Sequence, residues 1–245
     1  MASGEWFIEW FNSPYYHLLY QKRDAKEARD FLKNLGKNLS FKEGDKILDL
    51  ACGRGRHSIY LNEKGYRVTG LDLSEANIAE ASTHSNENLR FAVHDMREVY
   101  PDRFRFILNL FTSFGYFNHQ EDNLKVLRSC KKMLQWDGTL VIDFLNTSPV
   151  LRKLPMDESL TIEGIHFSIQ KRLEDGSIVK DIRFDDMGKS FHFQERVQAL
   201  ERSDFERMLG LTGFELKYVF GDYNLSTFDP SSSPRLILVA KSVLP

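Results

Sequence analysis

Cysteine is scarce in this chain. Cys52 and Cys130 stand far apart, so neither a disulfide framework nor a metal site is written into the sequence. No basic block or stripe interrupts the near balance of 33 Lys and Arg against 35 Asp and Glu, which leaves nucleic acid without an electrostatic footprint. No apolar run approaches the ~20 residues that cross a bilayer, and the start Met-Ala-Ser-Gly-Glu-Trp lacks the basic-then-apolar pattern of a secretory signal. These absences predict a soluble, cytoplasmic protein, monomer or homodimer, with no membrane, metal or nucleic acid among its partners. What is present is 245 residues, 42% of them hydrophobic, enough to bury one large core and carry a small appendage.

One stretch organises the rest: Lys46-Ile-Leu-Asp-Leu-Ala-Cys-Gly-Arg-Gly-Arg-His57. Its apolar half, Ile47 to Leu50, reads as a buried parallel strand carrying Asp49. Ala51 to Gly55 reads as a tight turn, and Ser58, Ile59 and Leu61 begin a helix. Strand, glycine turn and helix start form a platform for a nucleotide-like ligand, because the backbone approaches it closely and free N–H groups face it. Here too an absence decides. Ser58 stands where the dinucleotide fingerprint G-x-G-x-x-G needs its third glycine, and Asp49 would repel a pyrophosphate, which disfavours an NAD-dependent oxidoreductase.

A carboxylate at Asp49 suits an ammonium group instead. A second acid, Asp72, ends the strand-like run from Tyr66 and suits the two hydroxyls of a ribose. A third, Asp95, closes the run from Leu89 and suits an exocyclic adenine amine. Amino acid, ribose and adenine without phosphates describe S-adenosylmethionine. Three acids at the ends of successive parallel strands share one edge of the sheet, where ligands bind.

These motifs, with Leu71-Asp-Leu-Ser74 and His94-Asp-Met-Arg97 following the glycine turn in order, resemble the class I S-adenosylmethionine-dependent methyltransferases. The resemblance is sharp over 46–146 and looser elsewhere. It implies an α/β fold: a Rossmann-like seven-stranded sheet, mostly parallel with the last strand antiparallel, and helices on both faces. It implies a cofactor site of Asp49, Ala51, Cys52, Gly53, Gly55, Arg56, Asp72, Leu73, Asp95, Met96 and Phe111, with S-adenosylhomocysteine as the product. The aromatic stretch 6–23 contains a Tyr16-x-x-x-Tyr20 pair that is similar to the family's N-terminal lid, with Arg23 a partner for the methionine carboxylate. By its residues alone, that stretch is equally a docking helix covering a sheet edge. The segment Phe111-Thr-Ser-Phe-Gly-Tyr-Phe117 follows strand four, where the family lines the path from donor to acceptor, so Tyr116 is a substrate candidate. His119 beside it is the candidate general base, needed only if the acceptor arrives protonated.

Ala28, Phe31, Leu32, Leu35 and Leu39 predict an amphipathic helix over 24–39. Strand five, Thr139 to Leu145, brings Asn146 to the ligand edge as a second substrate candidate. Between 150 and 200 the pattern changes to period two with hairpin signals at 174–177 and 185–188, which predicts three antiparallel strands. This insertion divides the chain into a methyltransferase domain, 1–149 with 201–245, and a cap, 150–200. The cap either selects substrate, with Glu195 and Arg196 reading its charge, or serves as a dimer surface or scaffold. A helix capped by Ser203 and two strands, from Phe214 and from Arg235, close the fold. The activity expected is methyl transfer to O or N of a small molecule; the alternative is a protein that binds S-adenosylmethionine without turnover.

Overall fold

A computed structural model describes residues 6–20 and 25–243. The chain forms α1 (Trp6–Phe11), α2 (Pro14–Leu19), α3 (Ala25–Asn38), β1 (Lys46–Leu50), α4 (Arg56–Glu63), β2 (Arg67–Asp72), α5 (Glu75–Ser82), β3 (Leu89–Val93), β4 (Phe104–Asn109), α6 (Gln120–Met133) and β5 (Leu134–Leu145). Then come α7 (Thr147–Leu151), β6 (Met156–Ile162), β7 (Ile165–Glu174), β8 (Ser177–Asp186), β9 (Lys189–Gln198), α8 (Arg202–Leu211), β10 (Phe214–Phe220) and β11 (Arg235–Ser242).

The first sheet runs β10-β11-β5-β4-β1-β2-β3, parallel except for β11, which pairs antiparallel with both β5 and β10. Its central strands are apolar on both faces because both are covered. On one face Phe31, Leu32 and Leu35 of α3 and Leu61 of α4 meet Ile47, Val68 and Leu108. On the other, Val126, Leu127 and Met133 of α6 and Phe205 and Met208 of α8 meet Leu48, Ile107 and Ile142. Each such buried side chain contributes about 1.5–3 kcal/mol of burial free energy. The register sets Asp49 opposite Gly70 and Asp72 opposite Val93, so the strands end together at one edge.

The second sheet, β6-β7-β8-β9, is an antiparallel meander. Its turns carry positive φ at Glu163-Gly164, Asp175-Gly176 and Met187-Gly188, the two-residue turns whose twist matches flanking strands. Four strands stand where three were expected. β6 is an edge strand with mostly exposed residues, so its apolar alternation is weak. The sheet buries Ile162, Phe167, Ile169, Ile182 and Phe184 against Trp10 and Leu19, so the aromatic N-terminal stretch is two short helices seated on it. Two boundaries also differ from expectation. β5 begins at Leu134, which pairs with Phe104; the Trp136-Asp-Gly segment, left-handed at Asp137, bulges out of the ladder before pairing resumes at Thr139. α8 starts at Arg202 with Glu201 as its cap, the Asp204 carboxylate accepting from the Glu201 N–H at 3.0 Å, so Ser203 lies inside the helix.

Candidate active site

The loop after β1 turns back on itself through three left-handed residues, Ala51, Gly53 and Gly55. The Asp72 carboxylate ties this loop to the end of β2: it accepts from the Gly53 N–H at 2.8 Å and, through its other oxygen, from the Ser74 N–H at 2.9 Å. Ser74 caps α5 by accepting from the Asn77 N–H. A Cβ on Gly53 would meet nothing within 4 Å, so this glycine leaves open space beside the loop. Gly55 is different. It is buried, and a Cβ there would stand 2.6 Å from the Phe91 ring, so its bare backbone serves packing.

Asp49 is 1% exposed and accepts from the Ser58 hydroxyl at 2.6 Å. Burial pushes its carboxyl up to about 6, with the nearby Asp72 charge adding and the Ser58 bond opposing. Burial also raises Asp72. Asp95 behaves otherwise: burial works against its charge, yet the Arg97 guanidinium, 2.6 Å away, holds it below the usual carboxylate range. Burial raises the Cys52 thiol far above neutrality, so it stays protonated and is no nucleophile.

These groups open onto one cavity of about 500 Å³. Asp49, Asp72 and Asp95 all line it, together with Ala51, Cys52, Gly53, Arg56, Leu73, Met96 and Phe111. Tyr16, Tyr20 and Tyr116 close it from the N-terminal helices and the segment after β4. Phe111 stacks on His57 with ring centroids 4.8 Å apart and planes 12° apart, and the Arg56 guanidinium lies 4.7 Å from its centre.

Five expected site residues fall elsewhere. Gly55 is behind the loop, against Phe91. His119 is exposed at the cap of α6 and is not among the residues that line the cavity. The Asn146 amide is buried and donates to the Pro230 and Ser233 carbonyls at 3.1 and 2.8 Å, pinning the loop before β11. Glu195 accepts from Trp10 Nε1 at 2.7 Å and from the Tyr20 hydroxyl at 2.6 Å, with Lys180 at 3.5 Å, so its charge is consumed in seating α1 and α2. Arg196 pairs with Glu174 at 2.7 Å within the β-meander. Arg23 lies outside the described residues.

The cavity also recruits residues not named as site candidates: Phe7, Phe11, His17 and Asn77, and, from within the quoted motifs, His94 and Phe117. Phe7 and Phe11 sit one helical turn apart, which was the available signal. His17 and Asn77 meet only through the fold; burial and the nearby Arg54 charge hold His17 below its ordinary range. No residue of 150–200 lines the cavity; the β-meander bears on it through α1 and α2.

The strand order and the single antiparallel strand β11 define a Rossmann-like sheet with the acids that follow β1, β2 and β3 gathered at one edge. Comparison with known proteins agrees. Residues 47–138 match the family described as a methyltransferase domain. A putative methyltransferase of Bacillus subtilis (strain 168) is 28% identical over 216 residues, covering 82% of this chain and 86% of its own. A glycine/sarcosine N-methyltransferase of Aphanothece halophytica is 30% identical over 152 residues, 59% of this chain and 56% of its own. In fold, the crystal structure of an S-adenosylmethionine-dependent methyltransferase from Clostridium acetobutylicum superposes with a TM-score of 0.78 at 21% identity, covering 93% of this chain and 95% of that one. Residues 47–138 thus carry a methyltransferase domain, on a fold shared along nearly the whole chain with an S-adenosylmethionine-dependent methyltransferase.

The donor set fits that cofactor. A buried carboxylate pushed up to about 6 is one that gains from a cationic neighbour, and Gly53, with open space at its Cβ position, lines the same cavity. Among the described residues no helix is long and apolar enough to cross a membrane, and no His, Cys, Asp and Glu cluster suits a metal.

Proposed function

We propose that the protein transfers a methyl group to an oxygen or nitrogen of a small molecule, and that the strand-end acids divide the cofactor among them. Asp49 takes the ammonium group, Asp72 the ribose hydroxyls, and Asp95 with the Met96 backbone the adenine. The observation that carries this reading is the convergence of all three acids on one cavity of about 500 Å³. That volume lies in the range of small-ligand sites. The glycine/sarcosine N-methyltransferase among the relatives supports a small acceptor, as does the charge balance of 33 basic to 35 acidic residues.

When bound, S-adenosylmethionine supplies an electrophilic methyl on its sulfonium. The protein's own work is alignment and exclusion of water. Phe7, Phe11, Tyr16 and Tyr20 roof the cavity, and the segment 111–117 forms the wall next along the sheet edge. The β-meander acts as the scaffold of that roof, through Glu195, Trp10 and Tyr20. No base is assigned, since displacement at a sulfonium needs one only for a protonated acceptor.

Calorimetric titration with S-adenosylhomocysteine, on protein freed of carried-over ligand, tests the site. Saturable one-to-one binding is expected. A folded, ligand-free sample that does not bind would overturn the assignment of all three acids. Binding with no turnover across hydroxyl and amine acceptors would favour the non-catalytic alternative.

A further inference from the structure

Outside the cavity, at the end of β5, Asp143 is fully buried and surrounded by donors. One carboxylate oxygen accepts from the Phe111 N–H at 2.8 Å and the Tyr223 hydroxyl at 3.2 Å. The other accepts from Arg235 Nε at 2.8 Å, and the same guanidinium donates to the Thr112 hydroxyl at 2.9 Å. The Asp143 backbone carbonyl accepts from the Thr112 N–H at 2.9 Å. One residue thus holds two successive residues of the segment after β4 by backbone and side chain together.

Those two residues need holding. Phe111 and Thr112 have φ of 57° and 62°, a left-handed conformation that aromatic and β-branched side chains adopt only against an energetic cost. Such a pair persists where its surroundings over-determine it, and strain of this kind gathers at functional sites. The segment is also held further on, where Gln198 donates to the Phe117 carbonyl at 2.7 Å. Phe111 is the member whose ring enters the cavity wall and stacks on His57. Asp143, Arg235 and Tyr223 do not line the cavity.

We infer that Asp143, braced by Arg235 and Tyr223, is a positioning residue for methyl transfer: it fixes the left-handed turn that sets the Phe111 ring against the cofactor. The inference rests on the proposed cofactor site. Small displacements of groups that orient reactants are costly, which is why a remote buried acid matters here.

The test uses Asp143→Asn in the full chain, with two readouts. Affinity for S-adenosylhomocysteine by calorimetry is expected to weaken on the order of tenfold, the scale of one charge-assisted hydrogen bond. The second readout is the NMR signal of the His57 ring among the seven histidines, assigned with His57→Gln. Stacking on Phe111 shifts that signal upfield, and in Asp143→Asn it alone should move back toward the unstacked value. Should Asp143→Asn fail to fold, Tyr223→Phe removes one donor without stranding a charge, and smaller changes in the same directions are expected. An unmoved His57 signal, whether or not affinity falls, overturns the inference. No binding by the unaltered protein would instead overturn the cofactor reading itself, so the two failures are distinct.

Discussion

Replacing Asp49 with Asn should make the protein more stable and less able to bind its cofactor. Asp49 is 1% exposed, and its carboxyl is pushed up to about 6, chiefly by burial. In the unfolded chain the same group titrates near 3.9, so burying its charged form costs about 3 kcal/mol at most. The sign follows from proton binding. Between about pH 4 and pH 6 the folded state holds this proton more tightly than the unfolded one. The stabilisation is therefore fully present below pH 4 and lost as pH rises through about 6. At pH 8 the folded, ligand-free protein carries a buried anion. Asn keeps the shape and an acceptor for the Ser58 hydroxyl without that charge. At pH 8 the variant should gain up to about 2 kcal/mol, or about 4–8 °C in Tm for a chain of this size, and near pH 4 the gain should vanish. Affinity for S-adenosylhomocysteine should fall at least tenfold, because the partner of the ammonium group is gone. In the unaltered protein, affinity should weaken as pH drops below about 6 and Asp49 takes up its proton. Thermal unfolding at both pH values, with calorimetric titration, measures all of this. A variant no more stable at pH 8, or one that binds as tightly as the parent, would refute the reasoning.

Three other substitutions probe separate parts of the structure. Asp72→Ala removes both the proposed ribose acceptor and the tie to the Gly53 N–H; calorimetry should show at least tenfold weaker binding, while circular dichroism shows the fold intact. Gly55→Ala puts a Cβ 2.6 Å from the Phe91 ring at a φ of 79°, so denaturant unfolding should register a loss of roughly 2–4 kcal/mol. Glu195→Gln takes away the charge that Lys180 faces and weakens the seat of Trp10 and Tyr20; limited proteolysis should cut the N-terminal segment faster, with cleavage elsewhere unchanged.

Much of the architecture was legible because it is local. Ile47 to Leu50 is apolar on successive residues, as a strand covered on both faces must be, and Phe31, Leu32 and Leu35 repeat at the helical period. Two turns of the β-meander announced themselves by Asp-Gly and Met-Gly. β6 escaped because an exposed edge strand buries too little to impose alternation. The two N-terminal helices escaped as separate elements because each is only six residues long, and their stability comes from the second sheet beneath them.

The convergence of the strand-end acids was already written in the order of the motifs. A glycine turn after a strand, and acids at the ends of three consecutive parallel strands, have only one edge of a parallel sheet on which to meet. Asp49, Asp72 and Asp95 line a common cavity for that topological reason. The tertiary structure decided which other polar residues are free to face a ligand. Glu195 meets a partner 185 residues away in Trp10, Asn146 reaches carbonyls 84 and 87 residues on, and Asp143 holds Phe111 from 32 residues further along the chain. A carboxylate or amide has the same signature in sequence whether it faces solvent, substrate or a distant backbone. Only the packing that removes it from water selects its partner.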